Sequence, residues 1–144
     1  MYNGKYRYSL EEKGRLFIPV KFRRGLSPDA EGSFVVTRGL DGCLGVYPFD
    51  GWREVEKKLE EYSQWDARAR GLVRWFSANA EVVKLDSQGR IKIPQHLLEF
   101  AGLEKEVIII GVLNRIEIWN PEAYEKEESK WDPTKLRSLG GLKF

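Results

Sequence analysis

The stretch LEEKGRLFIP at residues 10–19 returns as LDSQGRIKIP at residues 85–94, and its matched positions (Leu10/Leu85, Gly14/Gly89, Arg15/Arg90, Ile18/Ile93, Pro19/Pro94) are all 75 residues apart. A second block, VVTRGLDGCLGVYPFDGW at residues 35–52, aligns with VIIIGVLNRIEIWNPEAY at residues 107–124 with a separation of 72, pairing Gly39 with Gly111, Val46 with Ile118, Tyr47 with Trp119 and Trp52 with Tyr124. Two blocks kept in order within 144 residues constrain the fold more than any composition does. Such a chain holds two copies of one supersecondary unit, and units this small must bury their apolar faces against each other.

Each copy reads locally as strand, turn, strand, short helix, strand, strand, helix. In the second, Leu85, Ile91 and Ile93 alternate with Lys84, Arg90 and Lys92 around a turn, the period of a half-buried hairpin. DSQG supplies the turn: Asp86 accepts local backbone N–H bonds and Gly89 tolerates a left-handed bulge position. EEKG is its counterpart, with Glu11 a weaker turn former because its longer side chain caps nearby amides less well. Pro19 and Pro94 suit the first turns of short helices, and Gly25 and Gly102 suit their C-terminal stops. Asp50 and Asn120 are the expected N-caps of the longer helices. Between the copies, Trp65, Ala69, Leu72, Val73, Phe76 and Ala80 form one helical stripe, predicting a linking helix whose Arg68, Arg70 and Arg74 lie off the buried side. The tail after Lys130 shows no periodicity and is expected to fray or to dock through Trp131. The divisions expected are a first repeat at 5–51, a helical linker at 52–79, a second repeat at 80–125 and a tail at 126–144.

Composition enters through what it excludes. Hydrophobic residues make up 42% of the chain, enough for a core without disulfides or a structural metal. The single cysteine, Cys43, reads as a small apolar filler, and no spacing of metal ligands occurs. No leader-like apolar stretch opens the sequence and no run reaches the ~18 residues of a membrane span, so a cytoplasmic protein is expected. The only histidine, His96, lies inside a short helix, and neither turn matches a phosphate loop, so no enzymatic site, cofactor or small-molecule substrate is expected. Net charge is only +2, yet residues 1–24 carry seven cations against two carboxylates. That local field suits docking to an anion, although a solvated basic end would look the same.

Two in-register copies of a D-x-x-G-R turn, an aliphatic strand and I-P resemble the MraZ family, bacterial proteins built from two SpoVT-AbrB-type domains. The resemblance runs from LEEKGRLFIPVKFR through CLGVYPFDGW and LDSQGRIKIP to EFAGL and NRIEIWN. It implies an α+β, β-rich fold: a pseudo-two-fold, swapped-hairpin, AbrB-like β-barrel built from two repeats with flanking helices. It further implies a ring-shaped homo-oligomer that binds double-stranded DNA, associates with the nucleoid, and regulates a division and cell-wall gene cluster, often at its own promoter. The family's D-x-x-x-R signature is complete at Asp86 and Arg90, whereas Glu11 stands in the Asp position of the first copy, so that only Arg15 matches there.

Physical chemistry suits such loops to reading a duplex. The glycines Gly14 and Gly89 add no side chain to hold the backbone away from a groove. Arg15 and Arg90 each bring a planar fork of donors matched to guanine O6 and N7 or to phosphate. Glu11 and Asp86 cannot favour DNA by charge, so their expected work is to close the turn and orient the arginine. Lys13, Lys21, Arg23 and Arg24 are the candidate phosphate contacts. One loop per half touches little DNA, so a ring reading tandem short direct repeats is the expected arrangement, and exposed members of the five-Trp set would serve assembly. The competing reading is an AbrB-like protein-interaction module or antitoxin.

Overall fold

A computed structural model of the chain describes residues 1–139. The first half runs β1 (Lys5–Ser9), a 3-10 turn (Glu12–Gly14), β2 (Arg15–Phe17), α1 (Val20–Arg24), a second 3-10 turn (Pro28–Ala30), β3 (Ser33–Arg38), β4 (Leu44–Pro48) and α2 (Phe49–Glu60). The linking helix α3 (Ala67–Ser77) leads into β5 (Glu81–Lys84), β6 (Arg90–Lys92), α4 (Gln95–Ala101), β7 (Glu106–Val112), β8 (Arg115–Trp119), α5 (Pro121–Ser129) and α6 (Pro133–Arg137).

Six strands form one antiparallel sheet in the order β1-β7-β8-β4-β3-β5, and β2 pairs with β6 in a separate two-stranded ladder. Exchanging the two halves reverses the six-strand order onto itself, so the pseudo-two-fold passes between β4 and β8, where Leu44 faces Ile118 and Val46 faces Ile116. The first strand of each half pairs with the other half: β1 with β7, and β5 with β3. The expected barrel is not closed. β1 and β5 remain edges of the six-stranded sheet, because β2 and β6, three residues each, pair with one another instead of bridging those edges.

The core is shared in the same symmetric way. Leu16, Ile18 and Phe22 from the first half meet their 75-residue counterparts Ile91, Ile93 and Leu97 in one buried cluster, together with Phe34, Val46, Ile109 and Ile118 from the large sheet. Each such side chain contributes about 1.5–3 kcal/mol by leaving water, so neither half retains its core alone. Cys43 packs against Ile108 and Trp119, and burial pushes its thiol up to about 12. It is therefore expected to resist alkylation by iodoacetamide in the native protein and to react fully once denaturant unfolds the chain; mass spectrometry of the modified fraction checks this.

Several local expectations shift. Asn120 caps α5 as expected, accepting from the amides of Glu122 (2.9 Å) and Ala123 (3.0 Å). Asp50 does not cap α2; it lies within the first turn, behind Pro48, and accepts the Ser27 hydroxyl at 2.7 Å. Gly102 is left-handed (φ 63°), with the Leu103 amide bonded to the Leu98 carbonyl at 2.9 Å, whereas Gly25 stays right-handed at φ −77°. Pro19 and Pro94 sit one residue before their helices.

The linking helix docks as its stripe predicts through Ala69 and through Phe76, which joins the Val35, Tyr47 and Trp52 cluster, while the Thr37 hydroxyl donates to the Phe76 carbonyl at 2.9 Å. Trp65 leaves the stripe and is 94% exposed, because Asp66 caps the helix and places Trp65 before its first turn. Trp131 is also exposed and does not anchor the tail, which forms α6 instead. The tail glycines Gly140 and Gly141 lie outside the described residues. Among the described residues no helix is long and apolar enough to cross a membrane.

Candidate nucleic-acid interface

The second turn is closed by one side chain. Asp86 Oδ1 accepts the amides of Gln88 (2.8 Å) and Arg90 (3.0 Å), and Oδ2 accepts Arg90 Nε–H at 3.1 Å. These bonds, the Arg90 amide first, hold the Asp86 carboxyl below the usual carboxylate range. The Asp86 amide donates back to the Arg90 carbonyl at 2.8 Å, and Glu11 to Arg15 repeats that bond at 2.8 Å. The side chains do not repeat. Glu11 makes no cap bond to its own turn, and Lys13 there takes a left-handed φ of 60° beside Gly14 at 77°. Its extra methylene carries the Glu11 carboxylate past the turn amides, and Oε1 accepts Arg90 Nη1–H at 2.9 Å from the other half.

The two turns interlock. The Gly89 carbonyl accepts the Ile18 amide at 3.0 Å, and the Gly14 carbonyl accepts the Ile93 amide at 2.9 Å. Gly14 and Gly89 are both buried, and the space beside each, where a Cβ would stand, is filled by the opposite repeat. A Cβ on Gly14 would lie 2.6 Å from the Ile93 carbonyl oxygen, and one on Gly89 would lie 2.5 Å from Arg23 Nη1. The glycines make room for the other half of the chain.

The outward face of the β2–β6 ladder carries the charge. Leu16 opposes Ile91 and both are buried; the flanking pairs, Arg15 opposite Lys92 and Phe17 opposite Arg90, therefore point the other way. Leu16 and Ile91 are repeat counterparts, so the ladder is symmetric about them. Lys92 is the residue that sequence reasoning left out of the site. Its signal was available: if the second strand of each copy pairs with its twin, the counterpart of Phe17 must face Arg15.

Among the described residues no side-chain hydrogen bond or ion pair engages Arg15 or Lys92. Arg90, by contrast, is held by Glu11 and Asp86, and the Glu11 bond, then Asp86, raises its already high pKa further. Leu10, Glu11, Glu12, Arg15 and Arg90 line one shallow depression. Arg23 is part of the interlock: its Nε–H donates to the Ile18 carbonyl at 2.9 Å and its guanidinium stacks 4.8 Å over the Phe17 ring. Lys21 reaches the Asn3 side chain, and Lys13 and Arg24 are exposed.

Fold and site define a tandem-repeat protein whose halves share their sheet and core and present one interlocked pair of arginine turns. A family model described as "MraZ protein, putative antitoxin-like" matches residues 1–75 and again 76–137. The proteins named "Transcriptional regulator MraZ" of Clostridium beijerinckii (47% identity, 97% of this chain and 99% of that protein) and Natranaerobius thermophilus (44%, 92% and 85%) are similar to it along their length. That of Clostridium acetobutylicum is 45% identical over 92% of this chain and 91% of its own. The chain belongs to the MraZ family.

Proposed function

We propose that this protein is a sequence-specific, DNA-binding transcriptional regulator, as its relatives are named transcriptional regulators. The observation that carries this reading is the direct opposition of Arg15 and Lys92 on a solvent-facing ladder with no carboxylate bonded to either among the described residues. Like charges across a strand pair cost stability, and an anion laid over both offsets that cost. A phosphate backbone supplies such an anion, and the planar Arg15 fork then reaches base edges.

In this reading Arg15 is the principal reader, with Lys92 beside it and Arg90 in support. Lys13 and Arg24 meet flanking phosphates; Arg23 and Lys21 shape the turn and helix that present them. Gly14 and Gly89 fix the turns, and Glu11 and Asp86 orient the charge. The repeats at 5–51 and 80–125, joined by 52–79 and followed by the tail at 126–144, are the functional units. The cross-pairing of β1 with β7 and β5 with β3 is read as the swapped-hairpin arrangement of an AbrB-like unit. Subunits assemble into a ring in the cytoplasm at the nucleoid, and successive turns meet tandem short direct repeats spaced near one helical turn of ~10 base pairs, upstream of the protein's own gene in a division and cell-wall cluster.

The test is a titration of duplexes from that upstream DNA carrying one, two or three repeats. Affinity is expected to rise steeply with repeat number, because each further contact is intramolecular. Equal affinity for all three would remove the ring from the reading, and no binding to any would remove DNA. The family description's "antitoxin-like" favours one second reading, a protein partner. A partner that stays bound after nuclease treatment would support it.

A further inference from the structure

Arg90 belongs to one repeat and Glu11 to the other, yet their side chains meet at 2.9 Å while Asp86 holds the opposite edge of the same guanidinium at 3.1 Å. Two carboxylates around one cation leave that corner net negative, which opposes a phosphate. Asp86 and Glu11 engage Nε and Nη1 of Arg90, so a phosphate meets the full charge of Arg90 once one carboxylate withdraws. Asp86 is committed, because its other oxygen ties the Gln88 and Arg90 amides and leaving would open the turn. Glu11 has no bond to its own turn, and its side chain is 44% exposed at the rim of the depression shared with Arg15. It is the carboxylate able to swing away.

We infer that Glu11 is a built-in competitor for nucleic acid: it holds Arg90 in reserve, so that Arg15 engages DNA first and Arg90 joins only when Glu11 is displaced. This rests on the DNA-binding reading above and adds the residue that sets its strength. The two arginines, equivalent by repeat, thereby become unequal. The inequality goes with one methylene: Asp86 bonds to its own turn amides, and the longer Glu11 does not.

Glu12 supplies the control. It sits on the same turn, is exposed, and its side chain bonds to nothing among the described residues, so Glu12→Gln removes the same charge without touching Arg90. Binding to a labelled duplex of the upstream DNA is measured across a salt series for wild type, Glu11→Gln, Glu12→Gln, Arg90→Ala and the Glu11→Gln/Arg90→Ala double variant. Glu11→Gln is expected to bind roughly fivefold tighter than wild type, the scale of releasing one such ion pair. It should also steepen the slope of log K against log salt by about one, for the extra phosphate that Arg90 then neutralises. Glu12→Gln should give a smaller gain with the wild-type slope, and once Arg90 is gone Glu11→Gln should gain no more than Glu12→Gln does. A Glu11→Gln protein that binds no tighter than Glu12→Gln, or whose full gain survives in the Arg90→Ala background, overturns the inference and leaves DNA binding standing. Absence of wild-type binding overturns both.

Discussion

Gly14→Ala is expected to destabilise the folded chain by about 3 kcal/mol or more, lowering the melting temperature by about 10 °C. Two costs add. At φ +77° the backbone of Gly14 is left-handed, where a Cβ meets its own carbonyl. The new methyl would also stand 2.6 Å from the Ile93 carbonyl oxygen and 3.0 Å from Leu98 Cδ1, and the first of these is backbone of the opposite repeat that cannot step aside. Moving it would strain the bond between the Ile93 amide and the Gly14 carbonyl, one of the backbone bonds that join the turns. Gly32→Ala is the matched control. Its φ of +69° carries the same conformational cost, but among the described residues nothing lies within 4 Å of where the methyl would stand, so about 1 kcal/mol is expected there. Gly89→Ala falls between, since its methyl would meet the guanidinium of Arg23, a side-chain end able to move at the expense of its bond to Ile18. Thermal melts of the three variants followed by circular dichroism check the order. Equal losses at Gly14 and Gly32 would mean that the close approach of the repeats contributes nothing.

That order could not be read from the letters, and the reason is specific. The glycine turns, the strands around them and the Asn120 cap are written in neighbouring residues, and periodicity or local hydrogen bonding reveals them. The interlock joins positions far apart: Glu11 reaches Arg90 across 79 residues, and Arg23 packs on Gly89. The repeat offset says that two units exist but not which strands they exchange, so the glycines announced a backbone conformation without announcing what fills the space beside them. Arg23 had the composition of a phosphate ligand, and only its placement ties it to Ile18 and Phe17. The departure at Glu11 was visible in the sequence as a longer acid in an aspartate's place. Its destination on the other repeat was not.

Arg15→Ala is expected to weaken binding to the upstream DNA about a hundredfold while leaving the fold intact, because one arginine contact to a base is worth about 1–3 kcal/mol, near tenfold for a single turn. When two or more subunits engage adjacent repeats, the same loss recurs at each and the factors multiply. Stability should move the other way. Arg15 makes no side-chain bond among the described residues and faces Lys92, so its removal relieves a like-charge pair, and the melting temperature should hold or rise slightly. Arg90→Ala should reverse the pattern, with a smaller loss of binding and a lower melting temperature, because Arg90 is bonded to Asp86 and Glu11 in the free protein. Arg15→Lys separates the two uses of the charge: a lysine keeps the phosphate attraction but lacks the planar fork, so it should retain salt-dependent binding and lose discrimination between the upstream DNA and a scrambled duplex. An Arg15→Ala protein that still binds like wild type would place the reading surface elsewhere on the molecule, and the facing cations of the β2–β6 ladder would then need another anion to explain them.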